Sequence, residues 1–326
     1  MPDEFDLIAK YFAPLAGDEG LGLQDDAACL PARPGFDMIV SKDVLVEGTH
    51  FLKGTSATGL AQKALGVNIS DLAAKGAVPS VYFVGLVLPA DCSDEWIQAF
   101  AEGLALGQKR FGLSLAGGDT TTSNAAEAAL VISITVVGYV PQGQMIQRAG
   151  ASAGDDIYVT GTLGDAALGL LGLLGKLGDD PFLTDRYDLP RPRVSVGVAL
   201  GAIASAAADV SDGLLADLGH ICTVSGVGAT VQQGLLPLSD AASAALKTDE
   251  ALHSYIYSGG DDYEIIFTAP TGKHQEIRDL STEVCVPITK IGTVEKTKGI
   301  RLVDTEGKIV HTNRVGYQHF RQDNTR

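Results

Sequence analysis

The chain has 326 residues, of which 45 % are hydrophobic and 20 % charged; this allows two domains with packed cores and excludes a disordered polymer. Its net charge of −16, from 24 basic and 40 acidic residues, repels nucleic acid and anionic membrane surfaces and excludes both as partners. An acidic protein can still hold phosphates, but only with cations in between.

The N-terminal MPDEFDLIAKYF carries acids where a signal peptide needs bases before an apolar run. FDMIVSKDVLV, Phe36 to Val46, reads as a strand, and Thr58 to Ala77 has apolar residues at helical spacing with a glycine near its end. VYFVGLVLP is a second strand, SDEWIQAFAEGLALGQKRFG a helix with Ser93 as N-cap, and LSLAGGD and ALVISITVVGYV complete a first unit. The apolar run from Ala128 to Val140 is too short and too β-branched to span a bilayer. Together with the missing leader, it points to a soluble, cytoplasmic protein.

PQGQMIQRAGASAGDD, Pro141 to Asp156, is poor in large apolar residues, which places a boundary between domains at 1–144 and 145–326. A strand, glycine turn and helix follow in DIYVTGTLGDAALGLLGLLGKLG, and ADVSDGLLADLGHIC repeats the plan. YIYSGGDDYEIIFTAP sets a GG turn before a strand. The alternation predicts an α/β (α+β) fold and leaves the strand order open. Cys29, Cys92, Cys222 and Cys285 lie far apart without CxxC spacing and read as small buried hydrophobes in a reducing compartment.

Acids recur where strands end or turns begin: Asp25 and Asp26, Asp43, Asp119, Asp155 and Asp156, Asp209 and Asp212, Asp261 and Asp262. Taken singly, each is an ordinary capping or turn residue. As a set placed against strands in GGDT, DVSDG and GGDD, they would repel one another without cations. Oxygen ligands with no His/Cys cluster favour magnesium or manganese over zinc. Asp71 differs, a carboxylate inside a helical pattern between Ile69 and Leu72. Asp155, Asp156 and Asp217 read as turn, capping or surface residues, GLLGLLGKLG as a helix packing face, and Asn68-Ile69-Ser70 as a chance glycosylation sequon.

Magnesium completes its shell with water and substrate phosphates, so an acidic site of this kind suits phosphoryl transfer, which needs positioning and charge neutralisation more than a nucleophile. The P-loop signature is missing, because Gly175-Lys176 is followed by Leu177, and neither a GxGxxG after a strand nor a GxSxG elbow occurs.

LQDDAACL, VSKDVLVEGTHF, KALGVNISDLAAKGAVP, LAGGDTT, QRAGASAGDDIYVTGTLGDAALGL, DVSDGLLADLGHI, SGGDDYEI and GYQHF occur in this order, and the chain therefore resembles the thiamine-monophosphate kinase family. The GGD and SDG elements are shared across the aminoimidazole-ribonucleotide-synthetase-like superfamily; VEGTHF, NISDLAAKGA and SGGDDYE are more specific to this kinase. The resemblance implies ATP-dependent phosphorylation of thiamine monophosphate to thiamine diphosphate by direct in-line attack with several magnesium ions. It also implies an N-terminal α/β domain that binds ATP and metal and forms a homodimer through its sheet. A C-terminal α/β domain would complete the ATP and substrate cleft.

Position by position, it makes Asp26, Ser41, Lys42, Asp43, Asp71, Asp119, Asp209 and Asp212 metal-binding, with Asp43, Asp119 and Asp212 at the centre of catalysis. Gly118, Asp119, Arg148 and Ser211 would contact ATP, and His50, Asp261 and Tyr317 the thiamine phosphate. A guanidinium such as Arg148 meets a phosphate through paired donors, and an aromatic such as Tyr317 can cover a cationic ring. Three positions depart from the family pattern: Lys42 replaces a threonine, Asp261 a glutamate and Gln24 a glycine. Lysine cannot supply a side-chain oxygen to a metal, whereas its backbone carbonyl can. The competing readings are another ATP enzyme of the superfamily, of selenophosphate or aminoimidazole ribonucleotide synthetase type, and a non-catalytic acidic scaffold. Cys29 lies beyond the DD pair in an apolar context, which disfavours the selenophosphate type, and a scaffold has no need of six separated aspartates.

Overall fold

The structure is a computed structural model that describes residues 4–125, 127–312 and 316–317. It divides into two compact units, Met1–Leu72 with Ala77–Met145, and Ala73–Gly76 with Ile146–Arg326.

The first unit holds strands β1 (Phe36–Val46), β2 (Val78–Pro89), β3 (Ser114–Ser123) and β4 (Val131–Pro141), and helices α1 (Glu4–Leu7), α2 (Ala57–Ala74) and α3 (Asp94–Phe111). The strand order is β1-β4-β2-β3, with β1–β4 and β4–β2 antiparallel and β2–β3 parallel. A parallel pair needs a crossover, and α3 supplies it. This helix starts where the Ser93 hydroxyl accepts the Trp96 N–H at 3.2 Å and stops at Gly112, whose φ of 70° suits glycine.

Helices α2 and α3 meet closely, because a Cβ on Gly103 would lie 2.4 Å from the Thr58 carbonyl oxygen. Gly103→Ala is therefore expected to cost about 1–3 kcal/mol by overpacking despite the better helix propensity of alanine, as a thermal melt would show.

Along β1 the alternation is sharp. Ile39 and Leu45 are buried on one face, whereas Phe36, Met38, Val40 and Val44 are exposed on the other. Part of the second face of the sheet is covered: Ala28 and Leu30 pack on Val81, Ala116, Val137 and Tyr139.

The second unit holds β5 (Asp156–Thr160), β6 (Ala206–Asp209), β7 (Gly228–Gln232), β8 (Ile265–Ala269), β9 (Ile288–Glu295) and β10 (Gly299–Val303). They form a mixed sheet in the order β10-β7-β9-β5-β8-β6. Its helices are α4 (Asp165–Leu173), α5 (Pro181–Asp188), α6 (Val194–Leu200), α7 (Leu214–Ser225), α8 (Asp240–Leu246), α9 (His253–Ser258) and α10 (His274–Glu283). Successive residues of β5, β6 and β8 enter different cores. Ile157, Val159, Ala206, Ala208 and Ile266 join one cluster, and Tyr158, Ala207, Ile265 and Phe267 the other. Burial on both faces explains why these strands read as continuous apolar runs.

Two expectations change. Only Cys222 is buried; Cys29 and Cys285 are exposed and Cys92 is intermediate, all four as free thiols. Asp155 and Asp156 are both buried. The first accepts the Ser152 N–H at 3.0 Å, and the second pairs with Lys290 at 2.6 Å, so they act as turn and pairing groups and not as surface charges. No helix among the described residues is long and apolar enough to cross a membrane.

Candidate functional site

In the first unit, strand alternation sends Ser41 and Asp43 to the side of β1 that faces α2, and Lys42 to the other. The Ser41 hydroxyl donates to Asp71 Oδ2, and the Asp43 N–H donates to Asn68 Oδ1 at 2.9 Å. Asn68 and Asp71 are one helical turn apart, so α2 presents both to the strand. Asn68 is wholly buried and donates to the Ala64 carbonyl at 2.9 Å, which makes it an anchor for β1 and removes it as a glycosylation site.

Burial, and then the charge of Asp71, push the Asp43 carboxyl up to about 6. Both influences act in the same direction, each disfavouring the charged form. Lys42 Nζ bonds Ser133 Oγ at 2.6 Å on the exposed face, so any contact with an ion at Asp43 would come from its backbone carbonyl.

His50 follows β1 in a turn, where its Nδ1 accepts the Val46 N–H at 3.0 Å. In the neutral ring this places the proton on Nε2. Asp26 is exposed in a loop, its N–H donating to Asp25 Oδ1 at 2.8 Å. Gly118 and Asp119 lie on β3, the strand at the opposite edge from β1. Three interstrand steps of about 4.8 Å put them some 14 Å from Asp43 across the sheet. Metal–oxygen bonds of about 2.1 Å cannot bridge that span, so Asp43 and Asp119 of one sheet cannot share an ion. At Gly118 a Cβ would lie 2.1 Å from the Val84 carbonyl oxygen, and only glycine fits.

In the second unit the DVSDG turn links β6 to α7. Asp209 is buried at the strand end, and Ser211 and Asp212 follow. Asp217 organises this turn. Its Oδ2 accepts the N–H groups of Ser211, Asp212 and Gly213 at 3.0, 3.1 and 3.2 Å. Burial first, then the charges of Asp209 and Asp212, push its carboxyl up to about 8. It is buried, and of the earlier expectations for it only capping describes it.

The SGGDDYE loop lies along the turn, with the Asp261 N–H donating to the Ser211 carbonyl and the Tyr263 N–H to that of Val210, both at 2.9 Å. Tyr263 Oη donates to Asp261 Oδ1 at 3.1 Å. The Tyr317 N–H donates to the Asp212 carbonyl at 2.9 Å, and half of its side chain is exposed. Asp209, Ser211, Asp212, Asp261 and Tyr317 thus come from three separate stretches of chain to one place. Arg148 is exposed, and its carbonyl accepts the Ser225 hydroxyl at 3.4 Å.

Asn68 and Asp217 are the residues that motif reading passed over. Each left a signal in its spacing: Asn68 precedes Asp71 by one turn, and Asp217 follows the SDG turn at the distance from which a first-turn acid reaches back to the amides of a helix start.

Residues 24–140 match the family model for the AIR synthase related protein N-terminal domain, and residues 152–305 that for the C-terminal domain. The thiamine-monophosphate kinase of Caulobacter vibrioides is 42 % identical over 98 % of this chain and 91 % of its own. The crystal structure of thiamine-monophosphate kinase from Stenotrophomonas maltophilia is 38 % identical with a TM-score of 0.81, covering 91 % of this chain and 94 % of that one. The structure of AaThiL complexed with AMPPCP and TMP is 28 % identical with a TM-score of 0.77, and covers 96 % of each chain. Matched along both units, the chain belongs to the thiamine-monophosphate kinase family of AIR synthase-related proteins.

Proposed function

We propose that this protein phosphorylates thiamine monophosphate with ATP, giving thiamine diphosphate, by direct in-line transfer. The observation that carries the reading is the gathering of acids at the quoted motifs, Asp43 beside Asp71 in one unit and Asp209, Asp212 and Asp217 in the other, which holds the Asp43 and Asp217 carboxyls above their ordinary range. The donors are all oxygens, which fits magnesium. Asp26, Ser41, Asp43, Asp71, Asp119, Asp209 and Asp212, with Lys42 through its carbonyl, would hold the ions. Bound magnesium supplies charge neutralisation for the phosphates.

Gly118, Asp119, Arg148 and Ser211 are assigned to ATP, the guanidinium bonding phosphate oxygens directly. His50, through Nε2–H, can donate to the acceptor phosphate, while Asp261 and Tyr317 face the cationic thiamine end. Nothing in this set needs to form a covalent intermediate, since positioned charges suffice for in-line transfer. The exposed Phe36, Met38, Val40 and Val44 on one face of the first sheet support a homodimer through that sheet, which sedimentation would show as twice the chain mass.

The decisive assay follows ADP release from ATP and magnesium with and without thiamine monophosphate, and quantifies thiamine diphosphate. The expected result is diphosphate formed in step with ADP. Release indifferent to thiamine monophosphate, with no diphosphate, would send the search to other acceptors.

A further inference from the structure

Behind the SGGDDYE loop the second unit buries charges that the proposed chemistry does not use. Asp165, Arg186, Asp262 and Glu264 are all buried, and Arg193 reaches in from the rim with 19 % of its side chain exposed. Glu264 is the hub. Its carboxylate accepts from Thr160 Oγ1 at 2.6 Å, from Arg186 Nη2 at 2.9 Å, and from Arg193 through Nε and Nη2 at 2.6 and 2.5 Å. A two-bond fork of this kind fixes direction as well as charge. Room for the carboxylate comes from Gly161, where a Cβ would lie 2.2 Å from Glu264 Oε1.

The same Arg186 Nη2 also donates to the Asp262 backbone carbonyl at 3.0 Å, so the guanidinium grips the chain one residue past Asp261. The Asp262 carboxylate turns the other way and accepts the Gly164 N–H at 2.7 Å, just before α4. On either side of the doubly held Asp262, Asp261 and Tyr263 adopt φ of 68° and 50°. Left-handed backbone disfavours a non-glycine residue and persists only where the surroundings over-determine it.

We infer that Glu264, Arg186 and Arg193 form a clamp whose task is to hold Asp261 in the conformation that presents its carboxylate to thiamine monophosphate, which makes all three positioning residues of the acceptor site. The inference rests on the assignment of Asp261 to the acceptor. Its selectivity follows from the separate support of the neighbouring turn: the loop meets that turn through backbone bonds, but the Ser211 and Asp212 N–H groups are held by Asp217, which the clamp does not touch. Loosening the clamp should therefore disturb the acceptor side and spare the nucleotide side.

Arg193→Gln is the first variant to make, because Arg193 is the one partly exposed member and Glu264 keeps Arg186 and Thr160 as partners. The expected result is a rise of about tenfold in KM for thiamine monophosphate, with KM for ATP within twofold, and partial recovery in Arg193→Lys, which restores charge without the fork. Asp261→Asn should raise the same KM, and the double variant Asp261→Asn/Arg193→Gln should be no worse than Asp261→Asn alone. An Arg193→Gln enzyme that melts lower with both KM values unchanged, or with both raised in step, overturns the clamp. A selective effect of Asp261→Asn beside a silent Arg193→Gln also overturns it while leaving Asp261 in the acceptor site. An unaltered KM in Asp261→Asn instead removes Asp261 from that site.

Discussion

Asp43→Asn should cut turnover by about a hundredfold to a thousandfold while making the metal-free protein harder to unfold. The two effects have one origin. Burial and Asp71 raise the Asp43 carboxyl from 3.8 to about 6, so the folded chain binds a proton there more tightly than the unfolded chain does. Stability from this group is present at low pH and is lost as pH rises through the interval from about 4 to about 6, and at neutral pH the ionised pair stands as a standing cost. Two pKa units correspond to about 2–3 kcal/mol, less what solvent screens at a half-buried site. Asparagine carries no charge to desolvate and leaves the backbone N–H on Asn68.

The melting temperature of the metal-free variant should therefore exceed that of the parent at pH 7.5, and the gap should close toward pH 4. The loss of rate follows from removing a charged ligand from a site whose chemistry is charge neutralisation, where a single group is worth ~10²–10³. Magnesium should raise the melting temperature of the parent by more than that of the variant, which keeps the ligands of the other ions. A variant that melts lower than the parent at every pH would reassign Asp43 to the fold, and one that keeps its rate would remove it from the site.

Asp217→Ala should be the most damaging single truncation in the second unit. One carboxylate oxygen accepts three consecutive N–H groups; stranding a buried donor such as Gly213 costs about 1–3 kcal/mol, and the half-buried Ser211 and Asp212 amides cost less. A loss of about 3 kcal/mol in denaturant unfolding and about a hundredfold in kcat is expected, because Ser211 and Asp212 sit on the amides that come loose. Asp217→Asn separates geometry from charge: its amide oxygen still accepts, and it sheds a carboxyl raised to about 8. The folded chain holds that proton more tightly, so the parent loses stability as pH rises from about 4 through 8 and the asparagine variant does not. Near-normal activity in Asp217→Asn with collapse in Asp217→Ala would establish a support for the turn; equal loss of rate in both would make the charge itself part of the chemistry.

Much of the local structure was legible before any coordinates. β1 runs from Phe36 to Val46 as its alternation predicts, and Ser93 caps α3 through its side chain. The predicted helix from Thr58 to Ala77 ends at Ala74 and the chain then turns through Gly76, whose φ of 73° breaks the helical path. These are short-range matters, in which side-chain period and capping chemistry act within a few residues. The order of motifs also carried the family, since each motif keeps its own turn chemistry.

Other features had no local signature. The thiols of Cys29 and Cys285 are exposed because their loops are, which composition does not reveal. The strand orders β1-β4-β2-β3 and β10-β7-β9-β5-β8-β6 depend on pairings between residues dozens to more than a hundred positions apart.

The sequence by itself determined the chemistry available to this protein: oxygen donors at turns, no nucleophile elbow, no P-loop, and the identity of the family. Only the tertiary structure decided which acids meet. It set Asp71 against Ser41, tied Asp43 to Asn68, separated Lys42 from both across a strand, and laid the Asp261 loop on the DVSDG turn. The reason is physical. A carboxylate's proton affinity, and with it its use for a cation, depends on burial and on charges within a few ångströms, and neither quantity exists until distant segments pack.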